Sequence, residues 1–238
     1  MPLQTIEPQR LYRQIADQLR SLIERGEFPA GARLPAEREL ARQLSVSRPS
    51  VREALIALEV EKTIEVRSGS GIYVLKPPPR RPARRQARVA VEWGPLELMR
   101  ARELVESEVA ALAARHAKKA DVQRMEQTMR QMRDDVVRRR TPRAGDEAFH
   151  KAIAQSCGNC VLRDTVSDYW QARHGALFER LGDHFEDDAS WAAALLEHAA
   201  VFEAIRVRNP LAAKSAMRTH LRNAHKRYSA SWLRAKAS

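Results

Sequence analysis

The sequence predicts a mainly α-helical protein of two parts, a small N-terminal part that ends in a β-hairpin and a larger antiparallel helical bundle. Aromatic residues make up only 5% of the 238 residues, and the good helix formers Ala, Leu, Glu and Arg are abundant. The helical pattern breaks at KPPPRRPARRQAR (76–88), where consecutive prolines precede arginines that have no acidic neighbour. We therefore expect domains at 8–76 and 95–233, joined by a basic linker at 77–94 whose arginines either contact phosphate or are simply solvated.

The charge of the chain favours a polyanionic partner. The formal net charge is +12, although the same balance also fits an ordinary basic surface. No run of about 20 apolar residues occurs, so we expect no membrane span. The first residues lack the apolar core of a signal peptide, which indicates a cytoplasmic protein. The pair Cys157 and Cys160 is expected to be reduced and structural, because its flanks are predicted to be helical and a redox motif would need a βαβ context.

Three helices and a hairpin are expected before the linker. The segment 10–26 has apolar residues at helical spacing, and Gly26 suits a C-terminal cap. Two short helices follow in LPAERELARQLSVSRPSVREALIALE (34–59), where Pro35 suits the start of the first and Ser47 can cap the second. In TIEVRSGSGIYVL (63–75) apolar residues alternate on both sides of a Gly/Ser tip, which predicts a hairpin.

The second short helix presents a surface suited to DNA. Val51, Ala54 and Leu58 form its core stripe, whereas Arg48 and Arg52 share a different face. Arginine can bond both acceptors of a guanine edge, and a recognition helix reads the major groove with its N-terminal residues. Ser50 is exposed on these turns, and the small hairpin tip could approach a backbone or a minor groove. Either arginine alone could be merely solvated, but the combination with the hairpin favours DNA binding.

The motifs LP-x-ER-x-LA and SR-x-x-VREAL-x-x-L make residues 8–76 similar to the winged helix-turn-helix of the GntR family of bacterial transcription regulators. Pro49 stands where threonine or alanine is commoner in the family. The resemblance implies binding to operator DNA as a homodimer. It also implies that the DNA is contacted by three arginines, two serines at the helix N-terminus and the wing tip, which here are Arg38, Arg48 and Arg52, Ser47 and Ser50, and Ser68 and Gly69.

After the linker we expect helices at 95–117, 121–140, 146–157, 161–180, 189–208 and 210–233. Their short connections favour an antiparallel bundle. His150, His198 and His220 each lie on an apolar helix face, and Asp146 precedes His150 by one turn. Three imidazoles and one carboxylate suit a divalent Zn, Ni, Mn or Fe ion. The alternative is that the histidines are ordinary hydrogen-bonded core residues.

Residues 96–232 resemble the FCD effector domain of the FadR-type branch of the same family. The resemblance rests on MRARELVESEVAALAA, D-x-x-FH-x-x-I, Asn159 and the EH and HL motifs near the C-terminus. It implies that Asp146, His150, His198 and His220 hold a metal and that Arg102 lines an effector pocket. A metal with open positions beside Arg102 would attract a small carboxylate such as a hydroxy or sugar acid.

Two further residues could complete this pocket. Trp170 and Arg173 are three apart and could add a stacking face and a second anion contact, unless they are an ordinary packed tryptophan and a surface arginine. The segments 94–114 and WQAR (170–173) most resemble the regulators of hexuronate and aldonate use. The function predicted is therefore a repressor that responds to a sugar acid.

Two alternatives stay open. The metal could be purely structural or itself the signal, or the chain could be a metal-dependent enzyme. The enzyme is less favoured, because Glu147 falls off the face of Asp146 and no general base is evident.

Overall fold

The computed structural model describes residues 11–67, 70–75 and 93–228, which form two compact units that divide near Pro95. The prediction of a mainly helical chain with a small antiparallel hairpin is confirmed. The expected wing-tip contacts Ser68 and Gly69 lie outside the described residues, as do residues 77–92 of the predicted linker. Among the described residues, no helix is both long and apolar enough to cross a membrane.

The N-terminal unit is organised around its third helix. Its elements are α1 (Leu11–Glu24), α2 (Glu37–Gln43), α3 (Arg48–Val60), β1 (Ile64–Arg67) and β2 (Gly71–Val74). Helix α3 contacts α1, α2 and β1, and its predicted core stripe is fully buried. The amide of Gly26, which has a φ of 81°, bonds the Ile23 carbonyl at 3.0 Å and closes the C-terminal end of α1 as expected.

The start of α3 also follows the sequence. The Ser47 Oγ accepts a hydrogen bond from the Ser50 amide at 3.3 Å, and Pro49 occupies the first turn, where a missing N–H costs nothing. In the hairpin Ile64 lies opposite Val74 and Val66 opposite Ile72. The apolar residues of the two strands are therefore in register.

The second unit contains seven helices among the residues that the structure describes. They are α4 (Pro95–His116), α5 (Lys119–Val137), α6 (Arg143–Gln155), α7 (Cys160–Ala172), α8 (Ala176–Phe185), α9 (Asp188–Arg206) and α10 (Pro210–Tyr228). The single helix expected at 161–180 is wrong, because α7 ends at Ala172 and α8 begins after Gly175. The amides of His174 and Gly175 bond carbonyls three residues back, so the last turn tightens, and Gly175 then adopts an extended conformation.

Packing among five helices of the second unit positions the residues that matter for function. Helix α6 packs against α5 and α7, and α9 packs against α5 and α10. Gly145 lies one residue before Asp146 on α6, and a Cβ added there would come within 2.5 Å of the Met132 Cγ on α5. A glycine at this position lets α6 approach α5 closely and holds Asp146 in the interior.

Candidate metal centre and ligand cavity

The four predicted metal ligands come together in the second unit. Asp146 and His150 are one turn apart on α6, His198 lies on α9 and His220 on α10. All four are buried, and each offers a ligand atom within 4.8 Å of the ligand atoms of the others. The helical periodicity that predicted inward-facing histidines is thus confirmed by burial, and the tertiary fold adds their convergence.

The donor set suits a cation. The Asp146 Oδ1 lies 3.0 Å from His198 Nε2 and 3.5 Å from His150 Nε2, yet it makes no hydrogen bond of acceptable geometry within the described chain. Burial raises the pKa of Asp146, but its interactions with His150 and His198 together hold that pKa well below the ordinary value. A divalent metal would suit this arrangement, because a buried carboxylate oxygen and imidazole nitrogens face one point and could all bind it.

Two carboxylates that sequence reasoning missed lie behind the histidines. Glu106 Oε2 accepts from His150 Nδ1 at 2.5 Å, and Glu197 Oε2 accepts from His220 Nδ1 at 2.8 Å. A carboxylate at Nδ1 fixes the proton there and leaves the lone pair on Nε2. Burial, together with the neighbouring His198 and His150, lowers the pKa of His220 to about 3, so this imidazole is neutral and able to bind a metal near pH 7. The sequence offered one signal for these two carboxylates, their proximity to predicted site residues. Glu106 follows Arg102 by one turn, and Glu197 is adjacent to His198.

Glu106 also joins the metal centre to the predicted effector arginine. Arg102 is only 2% exposed, and its Nε donates to Glu106 Oε1 at 2.5 Å. Burial raises the pKa of Glu106, but Arg102 and His150 outweigh this effect and bring that pKa to about 2. One ionised carboxylate therefore holds both the guanidinium and the imidazole.

A second arginine, Arg173, is largely covered and also contacts the indole ring of Trp170. Arg173 Nη1 is 3.5 Å from Asp146 Oδ2, and its Nη2 donates to the Tyr228 hydroxyl oxygen at 3.2 Å. The guanidinium carbons of Arg102 and Arg173 each lie 4.4 Å from the ring centroid of Trp170. The Arg173 side chain is 13% exposed, and Trp170 makes a cation–π contact with each of the two arginines.

A cavity with about 470 Å³ of empty space, its open mouth included, lies beside these groups. It is lined by Arg102 and Arg173, by two of the candidate metal ligands, Asp146 and His220, and by residues of α9 and α10 that sequence reasoning missed, among them Trp191 and Arg227. Trp170 is not among the lining residues. The stacking face that Trp170 is expected to offer a ligand stays a prediction, and in this structure the ring contacts the two arginines.

The described DNA-contacting candidates of the N-terminal unit are at least partly accessible. Arg38, Ser47 and Arg48 are exposed, whereas Ser50 and Arg52 are partly covered. Glu37, in the first turn of α2, accepts from Arg48 Nε at 2.9 Å and from Arg52 Nε at 3.0 Å. This carboxylate orients both arginines of α3.

Comparison with known proteins identifies the class and the family. Residues 11–74 match the model described as bacterial regulatory proteins, gntR family, and residues 97–223 match the FCD domain. These matches define a transcription regulator with a DNA-binding head and an effector domain. The chain belongs to the GntR family, in the branch that carries an FCD domain.

Transcription regulators match this chain over nearly its whole length. The Exu regulon transcriptional regulator of Escherichia coli (strain K12) is 36% identical over 93% of this chain and 85% of its own. The Uxu operon transcriptional regulator of the same strain is 36% identical over 92% and 87%. E. coli McbR/YncC has the same fold, with a TM-score of 0.52 at 17% identity over 94% of this chain and 100% of its own.

The family and its relatives are transcription regulators, not enzymes, so the metal-enzyme alternative is excluded. The carboxylate that sequence reasoning considered as a general base is also engaged elsewhere. Glu147 accepts from Lys151 Nζ at 2.6 Å and contacts His174 Nε2 at 2.8 Å.

Proposed function

We propose that the chain is a homodimeric repressor whose operator affinity changes when a sugar acid, a hexuronate or an aldonate, binds beside a divalent metal. One observation carries this proposal. Two of the four converging metal-ligand residues, Asp146 and His220, line the same cavity as the buried Arg102 and the largely covered Arg173. Cationic donors and a metal-ligand set on one cavity suit a carboxylate that has a neighbouring oxygen.

In this proposal the residues of the site have different roles in binding. Asp146, His150, His198 and His220 would hold the metal, which supplies a Lewis acid for a carboxylate and an adjacent hydroxyl or keto oxygen. Arg102 and Arg173 orient the anion with charge-assisted hydrogen bonds. Trp170 contacts both guanidinium groups and helps to keep them in place.

The names of the relatives support the choice of acid. The Exu regulon and Uxu operon regulators of E. coli match this chain over nearly its whole length. They agree with the resemblance to hexuronate regulators that the FCD segment showed. We therefore place hexuronates first among the candidate effectors.

The N-terminal unit supplies the operator contacts in this proposal. Arg38, Arg48 and Arg52 would contact the DNA together with Ser47, Ser50 and the wing tip. Two such heads on a homodimer favour a roughly palindromic operator. Operator and effector affinities must then change each other by the same factor.

One observation favours a second function, in which the metal is structural or is itself the signal. All four ligand residues belong to the protein and are buried, and a closed set of four protein ligands is typical of structural zinc sites. In that case metal removal lowers the melting temperature, no acid raises it, and the charge of Arg102 has no effect on regulation.

A thermal-shift panel separates the two functions. The metal-loaded full chain and the chain treated with EDTA are each heated with galacturonate, glucuronate, gluconate, lactate and an acyl-CoA. We expect a hexuronate to raise the melting temperature of the metal-loaded chain only. The variant Arg102→Gln should lose this shift, and Arg222→Gln, which changes an exposed arginine of the same unit, should keep it. A metal effect without any acid effect would support the structural site instead.

A further inference from the structure

Trp191 is a tryptophan of the cavity lining to which the proposed function assigns no role. It lies on α9, lines the cavity and is 8% exposed. Its indole N–H has no hydrogen-bond partner among the described residues. A buried donor without a partner is costly, and native proteins usually satisfy such groups with a protein atom, a water or a ligand.

Three other side chains around the cavity already donate to carboxylates of the protein. Arg102 donates to Glu106, Arg227 donates to Glu197 at 3.0 Å, and the Tyr228 hydroxyl donates to Glu186 at 2.6 Å. Trp191 thus offers a neutral donor beside arginines whose charge is balanced by carboxylates. A neutral donor of this kind suits a hydroxyl group, and it adds no positive charge to attract a second anionic group.

Its position on α9 places this donor away from the metal ligands. Trp191 and His198 are seven residues apart, which is two helical turns or about 10 Å along the axis. Ala194 lies between them on the same helix and also lines the cavity. A ligand with its carboxylate at the metal end must therefore be long to reach the indole, and a six-carbon acid extends much further than a three-carbon one.

We propose that Trp191 is a specificity-determining residue that donates a hydrogen bond to a hydroxyl at the far end of the effector and so selects long sugar acids over short hydroxy acids. This inference rests on the proposed function, because it takes the metal end as the site of the carboxylate. The recognised group is the terminal part of a polyhydroxylated chain.

The test compares two tryptophan variants by titration calorimetry on the metal-loaded full chain. Trp191→Phe keeps an aromatic ring and removes only the N–H. The matched control is Trp170→Phe, because the indole N–H of Trp170 is also buried without a partner but Trp170 does not line the cavity. The ligands are galacturonate, glucuronate and gluconate as long acids and lactate and glycerate as short ones. Melting temperatures without ligand verify that each variant is folded.

We expect Trp191→Phe to weaken the long acids by about fivefold to tenfold, the loss of one neutral hydrogen bond, and to leave the short acids unchanged. Trp170→Phe should weaken long and short acids by the same factor, because it alters the ring on which both arginines stack. Trp191→His, which restores a ring N–H, should recover part of the loss.

Two results would overturn the inference while the proposed function survives. Either Trp191→Phe binds the long acids as tightly as the natural chain does, or it weakens long and short acids equally and so acts only on the shape of the cavity. If the natural chain binds none of the acids, the proposed function fails and the role of Trp191 fails with it.

Discussion

Removal of the Glu106 carboxylate tests whether one buried group holds both the effector arginine and a metal ligand. In Glu106→Ala the Arg102 guanidinium, 2% exposed, loses the carboxylate that its Nε bonds at 2.5 Å. An uncompensated buried charge of this kind costs about 3–5 kcal/mol, which corresponds to a fall in melting temperature of roughly 10 °C for a unit of this size.

The same change frees the Nδ1 side of His150 and removes the group that fixes its tautomer. Loss of such an outer partner typically lowers metal affinity by about tenfold to a hundredfold. Glu106→Gln keeps the shape and removes the charge, so it should lower metal affinity while disturbing the packing less.

Two measurements check these expectations. Thermal unfolding in EDTA reports the stability of the metal-free chain, and competition with a chromophoric chelator reports the affinity for Zn²⁺. The control is Glu103→Gln on the same helix, where Glu103 pairs with the exposed Arg222 and the loss should stay below about 1 kcal/mol. The reasoning fails if Glu106→Ala has the same melting temperature as Glu103→Gln and keeps the metal affinity of the natural chain.

Three further predictions concern the N-terminal unit and use unfolding of the full chain. Leu55→Ala truncates a fully buried residue of α3 and should lower the free energy of unfolding in denaturant titrations by about 2–5 kcal/mol. An unchanged free energy of unfolding would mean that neighbouring side chains close the space left by the leucine. Ser47→Ala removes the N-cap hydrogen bond of α3 and should cost about 1 kcal/mol, whereas Ser47→Asp should be neutral. Burial raises the pKa of Glu37, but hydrogen bonds from Arg52 and Arg48 lower it below its ordinary value of 4.5, so its contribution to stability is complete above pH 4.5 and is lost as the pH falls through the lowered pKa. Glu37→Gln should therefore lose less stability than the natural chain below pH 4.5, and parallel acid profiles would contradict this reasoning.

Local pattern was sufficient for most of the elements. Apolar spacing predicted α1 and α3, Ser47 was recognisable as a cap, and alternation around a Gly/Ser tip predicted the hairpin. These features depend on periods of 3.6 and 2 residues and on single-residue conformational preferences, which act over a few neighbours. The break between α7 and α8 was missed, because one glycine in a helical pattern is a weak signal.

The same periodicity placed three histidines and Asp146 on inward faces of their helices, and the family resemblance named them as a set. Their approach to within 4.8 Å depends on the packing of α6, α9 and α10. A helix face indicates which side chains are buried, but it does not indicate which atoms of another helix they will meet.

The partners of the site were decided by tertiary structure alone. Glu106 reaches His150 across 44 positions of the chain, and the guanidinium carbons of Arg102 and Arg173 each lie 4.4 Å from the ring centroid of Trp170. Nothing in the sequence distinguished Trp191 from other tryptophans, whereas the structure shows that it lines the cavity and that its indole N–H has no partner among the described residues. Sequence periodicity therefore determined which side chains lie inside this protein. Only the packed helices decided which of them share a charge, a ring face or a cavity, because those contacts depend on distances in space between residues that are far apart along the chain.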